Sequence, residues 1–155
     1  MKSLEEMEKA LCEAAGRNYR ANYNCAESVL RAFCEQLQLD VTPDALRAAA
    51  GFGGGIYSKE GPCGAATGSV MVLGILAGRT DPSQDKKPMK DLTRDFMDQF
   101  VAKFGDLSCG CLNPYANGTP EAKENCHAIT AGAAELLMRF IAERGLRSGS
   151  GVPGD

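Results

Sequence analysis

The stretch Gly51 to Gly68, GFGGGIYSKEGPCGAATG, limits the fold more than any other part of the chain. Glycines let the backbone take positive φ and approach another group closely. The stretch passes through Pro62-Cys63-Gly64-Ala65 and runs directly into an apolar segment, Ser69 to Ala77. Proline suits the first turn of a helix, because its missing N–H needs no partner there. The pattern places Cys63 in the first turn of a buried helix, with the glycine loop wrapped over it. Gly64, Ala65, Ala66, Gly68 and Gly74 make that helix narrow and weak in intrinsic propensity, so it must rely on burial on all sides. A thiol at a helix start feels the positive end of the dipole, which favours the thiolate, the form that attacks disulfides and binds metals. Cys63 is therefore the candidate redox thiolate.

The rest of the chain reads as helices. Leu4, Met7 and Leu11 fall on one stripe and predict a first helix over 3–15, ended by Gly16. Asn24 is a favoured N-cap for a second helix that opens at Cys25. Its apolar face carries Ala26, Val29, Leu30, Phe33, Cys34 and Leu37. Thr42-Pro43 starts a short helix through Ala50, and 78–87 is a polar loop. Leu92, Phe96, Phe100 and Phe104 recur every four residues in a helix that Gly105 stops. Thr119-Pro120-Glu121 opens the last long helix, striped by Ile129, Ala133, Leu136, Leu137, Phe140 and Ile141. No convincing β-alternation appears, so the expected fold is all-α, a compact bundle of five to six helices over residues 1–144. Residues 145–155, GLRSGSGVPGD, read as a flexible tail.

Composition narrows the function classes. No basic stripe interleaved with aromatics is present, which argues against a nucleic-acid partner. The N-terminus is amphipathic and acidic, without the basic start and apolar core of an export signal. The longest apolar run, Val70 to Ala77, is far too short for a membrane span. These features predict a soluble cytoplasmic protein, and exposed Met and Leu positions leave room for a homodimer. The glycine stretch lacks the strand before it and the lysine–serine/threonine ending that phosphate loops need. No catalysed reaction on a bound nucleotide is therefore expected, and the sequence identifies no particular redox partner.

Seven cysteines is a high count for such a chain, and an odd one for a closed disulfide framework. In a reducing compartment, cysteine clusters serve metals or catalysis more often than structure. Cys12 and Cys34 lie on or beside apolar stripes and read as core filler. Cys25 sits at a helix mouth, as Cys63 does. Asn125-Cys126 repeats the Asn24-Cys25 pair. Cys109 and Cys111 stand in a loop, 107–118, that gives them no packing motive, and one of the two is expected to be the working residue. Four cysteines that helix packing can gather at one end match the needs of a tetrahedral zinc or a [2Fe–2S] cluster. Two pairs would equally serve dithiol–disulfide exchange. The wide spacing matches no zinc-finger or bacterial ferredoxin run.

Asn24-Cys25-Ala26, the Gly51–Gly55 run, Cys63-Gly64-Ala65-Ala66-Thr67-Gly68, a later cysteine and Cys126 together resemble the C_GCAxxG_C_C family of redox-active proteins, over about residues 18–143. The resemblance implies a functional set of Cys25, Cys63, Cys109 and Cys126, with Cys109 in place of the family's single third cysteine. A similar domain occurs in split-Soret cytochromes, where such cysteines accompany an iron–sulfur centre. This implies a one-electron carrier or sensor holding a [2Fe–2S] cluster. A metal-free thiol–disulfide protein with Cys63 as nucleophile and a structural zinc module are the other two readings. No Cys-x-x-Cys-His is present, so covalent haem is not implied. His127, the only histidine, points about 100° away from Cys126 on a helix and is expected to face solvent or a hydrogen-bond partner. Tyr57 and Lys59 are placed to lie over the site.

Overall fold

Three of the five long helices begin where a side-chain cap precedes an apolar stripe. In this computed structural model, which describes residues 1–147, Ser3 opens α1 (Leu4–Arg20) with a capping box. Its hydroxyl accepts the Glu6 N–H at 3.2 Å, and the Glu6 carboxylate accepts the Ser3 N–H at 2.7 Å. Asn24 caps α2 (Cys25–Gln36) in the same way through Glu27. Thr42 caps α3 (Pro43–Arg47) and Thr119 caps α7 (Pro120–Glu143). Between them lie α4 (Gly64–Ala77), α5 (Lys87–Phe104) and the short α6 (Cys109–Leu112), none of which has a side-chain cap. Gly105, at φ +94°, ends α5 in the left-handed conformation that glycine takes without strain.

The fold is all-α, as the periodicities predict. Among the described residues there is no strand, only an isolated antiparallel bridge between Pro62 and Ser108. No helix of these residues is long and apolar enough to cross a membrane. Several boundaries differ from expectation. Gly16 does not stop α1, which continues to Arg20. A Cβ at Gly16 would stand 2.8 Å from Nε2 of His127, so this glycine makes room for a neighbouring side chain. α3 ends at Arg47, and the chain continues through a 3₁₀ turn at Ala50–Phe52. Cys109 begins a single helical turn in a stretch expected to be a loop. Leu146, assigned to the tail, is buried with the core, because the chain folds back after Gly145 so that its N–H reaches the Ile141 carbonyl. Residues 148–155 of the expected tail lie outside the described residues.

α2 is central, with α1, α4 and α7 packed around it, and α1 runs along α7. Phe33, Phe96, Phe100 and Phe140 are fully buried, each contributing roughly 1.5–3 kcal/mol. Phe96 meets Phe140 edge-on at 5.4 Å. The small residues of α4 let it press against α2: a Cβ at Gly68 would be 2.6 Å from the Ala26 carbonyl oxygen. Burial of α4 is not complete, since Ile75 is 37% exposed. Glu8 of α1 accepts from Arg139 of α7 at 2.9 and 3.1 Å, tying those two helices together. This packing brings the N-terminal ends of α2 and α4, the turn α6 and the N-terminal half of α7 to one end of the molecule.

Candidate functional site: four cysteines on one cavity

Cys25 is the first residue of α2, and Asn24 before it is held from three sides. Its carbonyl-side oxygen caps Glu27 N–H at 2.9 Å, and its Nδ2 donates to the Ala50 carbonyl at 3.0 Å. The Tyr57 hydroxyl accepts from the same Nδ2 at 3.4 Å. The sulfur of Cys25 lies against the backbone of Gly64, and the Gly54 N–H nearby favours its charged form. Cys63 is the N-cap of α4, one residue outside the first turn predicted for it. Its side chain makes no capping hydrogen bond, but the backbone N–H groups of Ala65 and Ala66 lie near enough to favour its charged form.

The glycine stretch and the Cys109 segment are joined by their backbones. The Cys63 N–H donates to the Leu107 carbonyl at 2.7 Å, Cys109 N–H to Gly61 at 2.9 Å, and Gly110 N–H to Lys59 at 2.8 Å. The stretch can make these bonds only by turning the wrong way. Gly54, Gly55, Ile56 and Tyr57 have φ of +59°, +66°, +57° and +54°, and Lys59 follows at +62°. Left-handed backbone costs a non-glycine residue about 1–2 kcal/mol. Ile56, Tyr57 and Lys59 thus mark a strained turn held by what it covers. Gly55 is irreplaceable in it, since a Cβ there would be 2.6 Å from Cβ of Cys109.

Cys25, Cys63, Cys109 and Cys126 all line one cavity of about 770 Å³, together with Tyr19, Arg20, Tyr57, Lys59, Asn113 and His127 among others. Cys63 and Cys109 are buried, and Cys25 and Cys126 half-buried. Cys111 is exposed and does not line the cavity; Cys12 and Cys34 also lie away from it. All seven cysteines are free thiols. Cys126 is not at a helix mouth, as its Asn-Cys pair suggests. α7 begins at Pro120, which places Cys126 in the second turn. Asn125 is no cap either: its amide donates to the Leu112 carbonyl at 2.8 Å and to Oδ1 of Asn113 at 3.3 Å.

The charge state of the thiols departs from expectation. Burial pushes Cys63 up to about 12, and the negative charge of Cys25 adds to it; the two N–H groups of the helix start oppose them and lose. Cys25 and Cys109 are raised for the same first reason, burial, and each of the two also feels another cavity sulfur. Lys59 lowers Cys109, though its ammonium is also bound to the Tyr115 carbonyl at 2.7 Å. Tyr19, half-buried at the cavity wall, has its proton held by burial and then by the charge of Cys126. His127 accepts from Arg20 Nε at 3.2 Å on Nε2, with Tyr19 at 6.4 Å between ring centroids. Tyr19 and Asn113 are functional candidates that the sequence reading missed. Tyr19 lies past the point where Gly16 was expected to end α1, and Asn113 sits in a stretch without periodicity.

The fold and site define an all-α protein with a cysteine-lined cavity closed by a glycine-rich turn. The family described as "Putative redox-active protein (C_GCAxxG_C_C)" matches residues 23–140, and the chain belongs to it. An "Uncharacterized protein" of Archaeoglobus fulgidus is 26% identical over 150 residues, covering 91% of this chain and 99% of that protein. No solved structure matches the chain.

Proposed function

We propose that this redox-active protein is a one-electron carrier or sensor whose Cys25, Cys63, Cys109 and Cys126 hold a [2Fe–2S] cluster. The observation that carries the reading is the meeting of four cysteines from four distant stretches of chain on a single cavity. The donor set fits the group: four thiols, with backbone N–H groups near the sulfurs of Cys25 and Cys63 that favour their charged forms.

Among the described residues no three of His, Cys, Asp and Glu are gathered as a site for a metal ion, and this bears on zinc and on a cluster alike. The raised Cys63 makes a slow attacking thiol at neutral pH, which weighs against metal-free exchange. Buried thiols that penalise one another's charge suit a cationic guest better. When bound, a [2Fe–2S] cluster supplies one-electron chemistry. The chain supplies the cavity, and its backbone N–H groups and the Lys59 ammonium favour added negative charge on the sulfurs, against the burial that disfavours it.

The test is visible absorption of anaerobically purified protein. Wild type is expected to be brown and to bleach with dithionite; Cys63→Ser is expected to be colourless, and Cys111→Ser to match wild type. Colourless wild type, or Cys63→Ser with full colour, overturns the reading.

A further inference from the structure

The four cavity sulfurs are supported in two different ways. Cys25 and Cys63 sit beside backbone N–H groups that favour their charged forms, and Cys109 is fixed through its own backbone. Cys126, inside α7, has no free N–H group at hand, because its helix has already consumed them. It receives a side chain instead. Asn113 Nδ2 donates to Cys126 Sγ at 2.9 Å.

Asn113 is 7% exposed, and each of its polar atoms is committed. Its Oδ1 accepts from Asn125 at 3.3 Å, which fixes the orientation of the amide and leaves Nδ2 for the sulfur and, more weakly, the Ala122 carbonyl at 3.5 Å. Asn125 is anchored in turn on the Leu112 carbonyl. The Asn113 backbone N–H donates to the Cys109 carbonyl at 2.8 Å, and its carbonyl accepts from the Lys59 ammonium at 3.4 Å. One residue therefore joins Cys126 to the Cys109 turn and to the glycine-rich cover.

We infer that Asn113, oriented by Asn125, is the positioning residue that sets the electron affinity of the sulfur set through its hydrogen bond to Cys126. A donor on a ligand sulfur stabilises the electron-rich form more than the electron-poor one, so it raises the reduction potential. The inference rests on the function proposed above, but its failure is separable from the failure of that function.

The experiment is a potentiometric titration of the anaerobically purified full chain, with iron content and helicity measured on the same samples. N113L removes the donor without adding charge, and N125A leaves Asn113 in place but frees its amide. N113L is expected to shift the oxidised-to-reduced equilibrium about tenfold toward the oxidised form, which for one electron is about 59 mV lower. N125A is expected to move it in the same direction by less. Should N113L fail to fold, N125A decides. Variants that keep wild-type iron and wild-type potential overturn the inference while leaving the proposed function intact. If wild type shows no reversible couple, that function fails, and the bond is read instead from iodoacetamide alkylation of Cys126 in the metal-free protein. Slower alkylation in N113L supports the Asn113 role, and an unchanged or faster rate overturns it.

Discussion

Gly64→Ala offers the sharpest check on how the helix starts hold the site. A Cβ at this position would stand 2.2 Å from Cys25 Sγ, 3.0 Å from the Phe52 carbonyl oxygen and 3.2 Å from the Ala26 nitrogen. Two of these neighbours are backbone and cannot rotate aside. The sulfur can rotate, but only by moving away from the Gly54 N–H that favours its charged form. Overpacking of this kind costs about 1–3 kcal/mol. Gly74, in the same helix, is the internal control: the nearest atom to a Cβ there is Met89 Cε at 3.9 Å, an ordinary contact. Gly74→Ala should therefore keep its helix-propensity gain of up to about 1 kcal/mol, whereas the first helical position of Gly64 returns little of that gain. The two variants should differ by about 1–4 kcal/mol in urea unfolding followed by circular dichroism. Gly64→Ala should also lose the visible colour that Gly74→Ala retains. Equal unfolding midpoints for the two variants would refute the claim that Gly64 is there to let Cys25 approach.

Two further outcomes follow from burial. Cys63 ionises near 9.0 when unfolded and near 12 when folded, so above pH 9 the unfolded chain releases its proton first. The metal-free protein should then lose up to about 1.4 kcal/mol of stability per pH unit between those values, and none from this group below pH 9. Thermal unfolding from pH 8 to pH 11 checks this, and an equally steep decline in Cys63→Ser would contradict the assignment. Arg139→Met leaves the Glu8 carboxylate, only 11% exposed, without its partner. Because Arg139 is itself half exposed, the expected loss is about 1–2 kcal/mol, below that of a fully buried pair, with part recovered by adding Glu8→Gln; urea titration reads both.

The elements that local chemistry specifies were legible in the sequence. Asn24, Thr42 and Thr119 are caps where cap chemistry places them, the phenylalanine stripe faces the core, and Gly105 ends its helix. The gathering of Cys25 and Cys63 also followed from local signals, since both occupy helix starts. What was not legible depends on partners distant in the chain. Gly16 looks like a stop until His127 is packed over it. Asn125 looks like a cap until Thr119 is seen to have begun the helix already. The Cys63 charge state was misjudged for the same reason: the helix end is local and was read correctly, but the burial that outweighs it comes from packing by the whole bundle. Asn113 carries no periodic signal, and its part emerges only when α6 and α7 are brought together.

The central claim is that Cys25, Cys63, Cys109 and Cys126 act as one ligand set. Iron and acid-labile sulfide measured on anaerobically purified protein test it most directly. About two of each per folded chain is the predicted result, falling away in Cys126→Ser as in Cys63→Ser. A folded wild-type protein free of iron and sulfide, or one whose iron survives loss of any of the four cysteines, would contradict it.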